Sequence, residues 1–231
     1  MVLAAGLGSR MRPITDSRPK PLVEVGGRAL IDHVLDRLAE AGVRRAVVNI
    51  HHLADQIEAH MRRERRLLIE VSDERDALLE TGGGCKRALP LLSPTFLALN
   101  SDSLWRERGE NEIGRLLAAW RPDEMDALLL LAARDSLGYD GSGDFTRGSD
   151  GRLARRAPGA QAPHVYAGVA ILKRDSFLGT PDGAFSLNVI FDRAIAADRL
   201  YGLPLAGEWL HVGTPEAIRA AEERLAAPLS P

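Results

Sequence analysis

Val2-Leu3-Ala4-Ala5-Gly6-Leu7-Gly8-Ser9-Arg10-Met11-Arg12-Pro13 opens the chain, and its reading decides the fold. The apolar residues Val2, Leu3, Ala4 and Ala5 predict a short buried strand, ended by Gly6. Glycines at 6 and 8 let the backbone approach an anion closely and turn N–H groups toward it. Arg10 and Arg12 add positive charge that can fork onto phosphate oxygens. Taken alone, the segment reads equally as a phosphate cradle and as a tight strand-to-helix turn with two solvated arginines. It is neither of the two familiar phosphate loops. A dinucleotide fingerprint needs a third glycine where Met11 stands, and no Gly-x-x-x-x-Gly-Lys-Ser/Thr run occurs.

Downstream, strand-like and helix-like apolar patterns alternate. Leu30, Ile31, Val34, Leu35 and Leu38 recur at helical spacing, and Gly42 stands where a helix stops. Residues 46–50 read as a strand, Leu53, Ile57 and Met61 mark one face of a helix, and 67–71 reads as a further strand. Residues 95–99 predict a strand ending at Asn100-Ser101-Asp102, followed by a helix over 113–120 and a strand over 127–133. This order predicts an α/β fold, Rossmann-like, with a mixed and mostly parallel sheet flanked by helices. In such sheets ligands sit beyond the carboxyl ends of the strands, where Gly6 and residues 100–103 fall. The stretch 136–163 changes character: it is rich in Gly, Asp, Arg and Pro and poor in large apolar residues. It reads as a flap or hairpin insertion over the sheet edge, inside one domain spanning 1–231. A strand follows over 165–172, then a helix carrying Leu187, Ile190, Phe191, Ala194 and Ile195. The last helix has Thr214 as its expected N-cap, Pro215 at the first helical position and Glu216 in the first turn.

The chain has 231 residues, 45% hydrophobic and 27% charged, with a formal net charge of −2. A chain of this length buries roughly 70% of its unfolded surface, enough for a core without covalent staples. The charge balance argues against a general nucleic-acid binder. One cysteine, Cys85, excludes an intrachain disulfide and speaks against a cysteine zinc cluster. No apolar run reaches the ~18 residues of a membrane span. The apolar start lacks a basic leader and runs into the glycine turn, so it reads as a core strand and not a signal peptide. The expectation is a cytoplasmic protein with small-molecule partners, neither nucleic acid nor membrane, as a monomer or weak homodimer.

Several segments together resemble the sugar-1-phosphate nucleotidyltransferases. The first is the opening segment from Leu3, followed by Pro19-Lys20-Pro21-Leu22-Val23 and Gly26-Gly27-Arg28-Ala29-Leu30-Ile31. Glu80-Thr81-Gly82-Gly83-Gly84 and Asn100-Ser101-Asp102 come next. Tyr166-Ala167-Gly168-Val169, Phe185-Ser186-Leu187-Asn188 and Trp209-Leu210-His211-Val212-Gly213-Thr214 complete the series. They run in order along almost the whole chain. The resemblance implies the nucleotidyltransferase fold, with the 136–163 flap over a sugar site. The implied reaction turns an NTP and a sugar 1-phosphate into an NDP-sugar and pyrophosphate. The sugar phosphate attacks the α-phosphorus in line with the departing pyrophosphate, so catalysis is positioning and charge neutralisation.

Roles follow from the same resemblance. Leu3, Ala4, Ala5, Gly6, Gly8 and Ser9 hold the nucleotide with Arg10, and Arg12 lies nearby. Lys20, stiffened by its flanking prolines, neutralises the α-phosphate and the attacking phosphate. Thr81, Gly82 and Gly83 contact the base from a second glycine loop. Asp102 binds Mg²⁺, and Arg10, Lys20 and Asp102 form the catalytic set. Asn100, Asp144, Arg155, Gly168 and Asn188 fall on the sugar side. The length and the Glu-Thr-Gly-Gly-Gly and Gly143-Asp144-Phe145 segments look most like members that join UTP to N-acetylmuramate 1-phosphate in peptidoglycan recycling. Members joining GTP to mannose 1-phosphate are the alternative. A reading of another class is a nucleotide-sugar-binding regulatory protein with impaired catalysis.

Two departures from the family pattern matter. Relatives place a second metal-binding aspartate where His211 stands. Three outcomes are open: Asp102 holds Mg²⁺ with the substrate phosphates alone, the reading favoured; the imidazole brings a softer metal such as Mn²⁺, Co²⁺ or Zn²⁺; or His211 donates a hydrogen bond to the α-phosphate. Many relatives also carry Glu-Lys-Pro after the flap, where this chain has Ala154-Arg155-Arg156-Ala157-Pro158. Arg155 either grips the sugar phosphate in the lysine's place or is part of a solvated basic pair. The adjacent His51 and His52 read as loop polarity, and Arg62, Arg63, Arg65 and Arg66 as a solvated helix end.

Overall fold

The apolar run at 127–133 shows no polar alternation, and in the computed structural model both of its faces are covered. Residues 1–228 are described. The first half of the chain carries β1 (Val2–Leu3), β2 (Glu24–Val25), β3 (Arg28–Ala29), α1 (Leu30–Glu40), β4 (Arg45–Ile50), α2 (Ala54–Met61) and β5 (Leu68–Asp73). It continues with α3 (Glu80–Ala88), β6 (Thr95–Asn100), β7 (Ser103–Arg106) and α4 (Glu112–Ala119). The second half carries β8 (Ala127–Ala133), β9 (Phe145–Arg147), β10 (Leu153–Arg155), β11 (His164–Lys173) and α5 (Asn188–Ala196). β12 (Leu200–Pro204), β13 (Glu208–His211) and α6 (Pro215–Ala226) close it.

One mixed sheet runs β10-β9-β11-β6-β1-β4-β5, with β8 on β11 and β12 on β8. β1 lies between β4 and β6 and pairs with both in parallel. The β4–β5 and β8–β12 pairs are also parallel. Every antiparallel pair in this sheet involves β11 or the β9–β10 hairpin. Alternate residues of each strand feed opposite cores. Leu128, Leu130 and Ala132 face the side covered by α1, α2 and α4. Ala127, Leu129 and Leu131 face the side covered by α3 and α5. A third, smaller cluster joins Met11, Val23, Leu104 and Leu210 beneath α6.

Three local expectations need correction, and a fourth, the Thr214 N-cap, holds in its backbone. The first strand ends at Leu3, not Ala5, because the Ala4 N–H leaves the ladder and donates to Asn49 Oδ1 at 2.7 Å. Residues 80–84 are not a loop but the opening of α3. Lys20 is not in an extended segment; it starts a 3₁₀ turn over Lys20–Leu22. Thr214 has the extended backbone of an N-cap yet makes no side-chain cap bond. Within 136–163, the buried Phe145 and Leu153 seat β9 and β10 against the sheet.

Candidate active site

The cleft forms where β1, β4 and β6 end, and its floor includes Leu3, Ala4, Ala5, Gly6 and Gly8. Gly8 sits at φ +62°, and a Cβ there would come within 2.9 Å of both Lys20 Cβ and Thr15 Cγ2. Only glycine lets the loop fold back against Lys20. Thr15 Oγ1 donates to the Gly8 carbonyl at 2.9 Å and pins the turn. Lys20 thereby enters the cleft, and its Nζ lies 2.5 Å from Asp102 Oδ2 across 82 residues of sequence. The two side chains are 13% and 30% exposed, shielded from solvent yet open to a ligand. Asn100, Ser101 and Asp102, at the end of β6, line the same wall. Ser9, Arg10 and Arg12 stay exposed at the rim. Arg12 pairs with Asp16 at 3.3 Å. Arg10 reaches toward Gly213, where a Cβ would meet Arg10 Nη1 at 3.3 Å.

The opposite wall is the start of α3, with Leu78, Glu80 and Thr81 on the cleft. Thr81 Oγ1 accepts the Leu187 N–H at 2.9 Å. Gly82 and Gly83 are buried and absent from the cleft lining. Both donate their N–H to the Phe185 carbonyl, at 2.8 and 3.0 Å. A Cβ on Gly82 would lie 2.5 Å from the Phe185 ring, and one on Gly83 would lie 2.2 Å from the Gly183 carbonyl oxygen. These glycines let the 183–187 segment seat against α3. Asn49, from the end of β4, also lines the cleft. In sequence it is an ordinary strand residue, and the one signal it offers is an amide between two apolar neighbours, Val48 and Ile50.

The sugar-side candidates fall into two groups. Gly168 sits at φ +82° where β11 shifts register against β8. A Cβ there would meet Ser103 Oγ at 2.1 Å and Asn100 Nδ2 at 3.0 Å, so the buried Gly168 packs behind Asn100, and of the two only Asn100 lines the cleft. Arg155 and Asn188 form the other group. Arg155 Nη2 donates to Asn188 Oδ1 at 2.9 Å and Nε to Asp192 Oδ1 at 2.7 Å, with the guanidinium 4.7 Å from the Phe145 ring centre. Asp144 Oδ2 accepts the Tyr166 N–H at 2.9 Å, which ties the flap to β11.

His211 reaches the site because β13 pairs with β7, placing it opposite Ser103, next in sequence to Asp102. Its ring lies 5.0 Å from the Trp209 ring, tilted by 40°, and meets Tyr139 edge-on at 5.9 Å. Burial pulls its pKa below the usual 6.5; Asp102 and Asp140 oppose the shift while Arg10 and Lys20 add to it. The imidazole is therefore neutral at pH 7. Elsewhere, His51 Nδ1 lies 2.6 Å from the Glu74 carbonyl and His52 Nε2 2.9 Å from the Thr15 carbonyl, so both serve loops. Cys85 is buried, which pushes its thiol up to about 12 and leaves it inert. Among the described residues no helix is long and apolar enough to cross a membrane.

Comparison with known proteins bears on the family and the fold. The Nucleotidyl transferase family model matches residues 1–126. The chain is 51% identical to the N-acetylmuramate alpha-1-phosphate uridylyltransferase of Caulobacter vibrioides, over 98% of this chain and 96% of that one. It is 33% identical to the protein of the same description from Neisseria meningitidis serogroup B, over 96% of each. The putative glucose-1-phosphate thymidylyltransferase of Bacillus anthracis superposes with a TM-score of 0.81 at 15% identity, covering 100% of this chain and 96% of that one.

Proposed function

The chain belongs to the nucleotidyl transferase family, and from that premise we propose that it joins UTP to N-acetylmuramate α-1-phosphate. The products are UDP-N-acetylmuramate and pyrophosphate, a step of peptidoglycan recycling carried out in the cytoplasm. The observation that carries the reading is the Lys20–Asp102 pair at 2.5 Å beside the glycine loop. It puts one mobile cation and one carboxylate where a triphosphate lying on Gly6 and Gly8 would present its α-phosphate.

The chemistry needs no protein nucleophile. An oxygen of the sugar phosphate bonds to the α-phosphorus as the bond to the β-phosphate oxygen breaks, and pyrophosphate leaves. Backbone N–H groups of the glycine loop hold the departing phosphates, with Arg10 at the rim adding charge. Lys20 swings from Asp102 toward the α-phosphate and the incoming phosphate, neutralising charge where it gathers. Thr81 and the start of α3 form the base wall. Asn100 and the Gly168 bulge orient the sugar. Arg155 and Asn188, braced by Asp192, form the outer sugar contact, with Asp144 holding the flap.

The donor set fits a hard cation shared with substrate. Asp102, at the cleft wall beside Lys20, is the carboxylate that would hold Mg²⁺. Among the described residues no three His, Cys, Asp or Glu side chains gather as a cluster. Mg²⁺ is commonly held by one or two carboxylates together with substrate phosphates and waters. When bound at Asp102 it would supply further neutralisation of the reacting phosphates. Neutral His211 is the group through which Mn²⁺ or Co²⁺ would be accepted as well.

Pyrophosphate release from the purified protein tests the reading. UTP and GTP are crossed with N-acetylmuramate, N-acetylglucosamine and mannose 1-phosphates, each in Mg²⁺, Mn²⁺ and Co²⁺. Release with UTP and the muramate sugar is expected. Release only with GTP and mannose 1-phosphate would overturn the substrate assignment. Silence throughout, with nucleotide still bound, would favour a regulatory protein.

A further inference from the structure

Behind the glycine loop lies a buried carboxylate to which none of the steps above assigns a role. Glu74 follows β5 and is 0% exposed, and Asn49 beside it is 2% exposed. Asn49 Oδ1 accepts the Ala4 N–H at 2.7 Å, and Asn49 Nδ2 donates to Glu74 Oε1 at 2.7 Å. Glu74 Oε2 has no hydrogen-bond partner. A burial of this kind costs stability, so a fold that keeps it needs a reason elsewhere.

The direction of the two bonds supplies one. An amide presents an acceptor on one side and donors on the other. Flipped, Asn49 would aim its NH₂ at the Ala4 N–H, donor against donor. Glu74 Oε1 accepts, so it holds the NH₂ on its own side and the carbonyl toward Ala4. That bond takes Ala4 out of the β1 ladder at the point where the loop departs. α3 closes on the same pair: a Cβ on Gly84 would lie 2.7 Å from Asn49 Nδ2 and 2.8 Å from Glu74 Oε1. Three elements that meet the cleft, the loop after β1, the end of β4 and α3, thus converge on one carboxylate.

We propose that Glu74 is a positioning residue for the nucleotide: by fixing the Asn49 amide it sets where the glycine loop leaves β1 and how far that loop stands from α3. The proposal rests on the nucleotide site assigned above. It requires an acceptor at Oε1 and not a negative charge.

The test compares Glu74→Ala, Glu74→Gln and the wild type in three measurements. These are UTP affinity by calorimetry without sugar, KM for each substrate, and amide hydrogen exchange of the protein alone. In Glu74→Ala, UTP affinity should fall about tenfold or more while KM for the sugar phosphate stays within about twofold. Exchange over residues 2–8 should quicken about tenfold, with 127–133 unchanged. Glu74→Gln keeps a carbonyl acceptor and should restore both readouts to within about threefold of wild type. Unchanged UTP affinity and exchange in Glu74→Ala would overturn the proposal, as would a Gln variant as impaired as Ala. If Glu74→Ala does not fold, Asn49→Ala is read by exchange, because Asn49 itself lines the cleft: exchange over residues 2–8 quickened about tenfold supports the proposal, and wild-type exchange there overturns it. The exchange readout needs no substrate, so it judges this proposal even if UTP proves the wrong nucleotide.

Discussion

Lys20 and Asp102 show what single residues do here, because their charged ends meet each other across the cleft. Their ion pair is partly exposed, so it contributes at most about 1 kcal/mol to folding. In the proposed reaction their role is toward the reacting phosphates. Lys20→Ala and Asp102→Ala should each lower turnover by about 100-fold or more while moving stability by less than about 1 kcal/mol. Pyrophosphate release and urea melts on the same preparations check this; a variant that is merely unfolded would remove the assignment. His211→Asp should keep or raise Mg²⁺-dependent turnover, since a second hard oxygen would face the cation. Loss of activity with every metal would show that the imidazole acts in its own right. Glu74 has a pH signature. Burial raises its pKa above 4.5, opposed by the Asn49 side chain and the Leu79 backbone N–H. A raised carboxyl pKa means that the folded state binds more protons than the unfolded one. The contribution is complete below about pH 4.5 and fades as pH rises through the folded value. Glu74→Gln lacks this penalty, so its stability relative to wild type should grow as pH rises from about 4.5 through the folded-state pKa. Parallel stability curves would contradict it. Glu74 and Asn49 were not legible as site residues, because neither belongs to a motif and their pairing spans separate strands.

Among the elements, α3 departs furthest from what local preference favours. Three consecutive glycines oppose helix formation by about 1 kcal/mol each, which is why 80–84 reads as a loop in sequence. Packing overrides this. Phe185 and the Gly183 carbonyl lie against one side, and Asn49 with Glu74 against another, so closely that no Cβ fits. Gly83→Ala should therefore destabilise the protein by about 1–3 kcal/mol despite its better helix propensity, as read from a urea melt. A more stable variant would mean that the 183–187 segment can yield. The alternating elements were legible because hydrophobic period survives without context. β8 matched its predicted 127–133 bounds because it is apolar on both faces. The 3₁₀ turn at Lys20 was not legible, since flanking prolines fit an extended chain equally well.

At the scale of the whole molecule, the sheet separates two cores whose side chains do not meet. Ile31 lies in the core under α1 and Ile190 in the core under α5, both 0% exposed. Ile31→Val and Ile190→Val should each cost about 0.5–1.5 kcal/mol. The double variant should equal their sum within about 0.5 kcal/mol, in a single cooperative transition. A large coupling, or two transitions, would show that the faces communicate or fold apart. The sequence by itself determined the α/β class, and its ordered motifs singled out the first turn, Lys20 and Asp102 as site candidates. The class follows from local periodicity; the candidates follow from a resemblance that the segments carry together and none carries alone. Only the tertiary structure decided which of those residues meet. The parallel pairing of β1 with β6 puts Asp102 beside Lys20, and the β7–β13 pair delivers His211. Contact with Phe185 turns Gly82 and Gly83 from base contacts into packing surfaces. Such facts depend on distances across dozens to hundreds of residues, and a linear pattern carries no term for them.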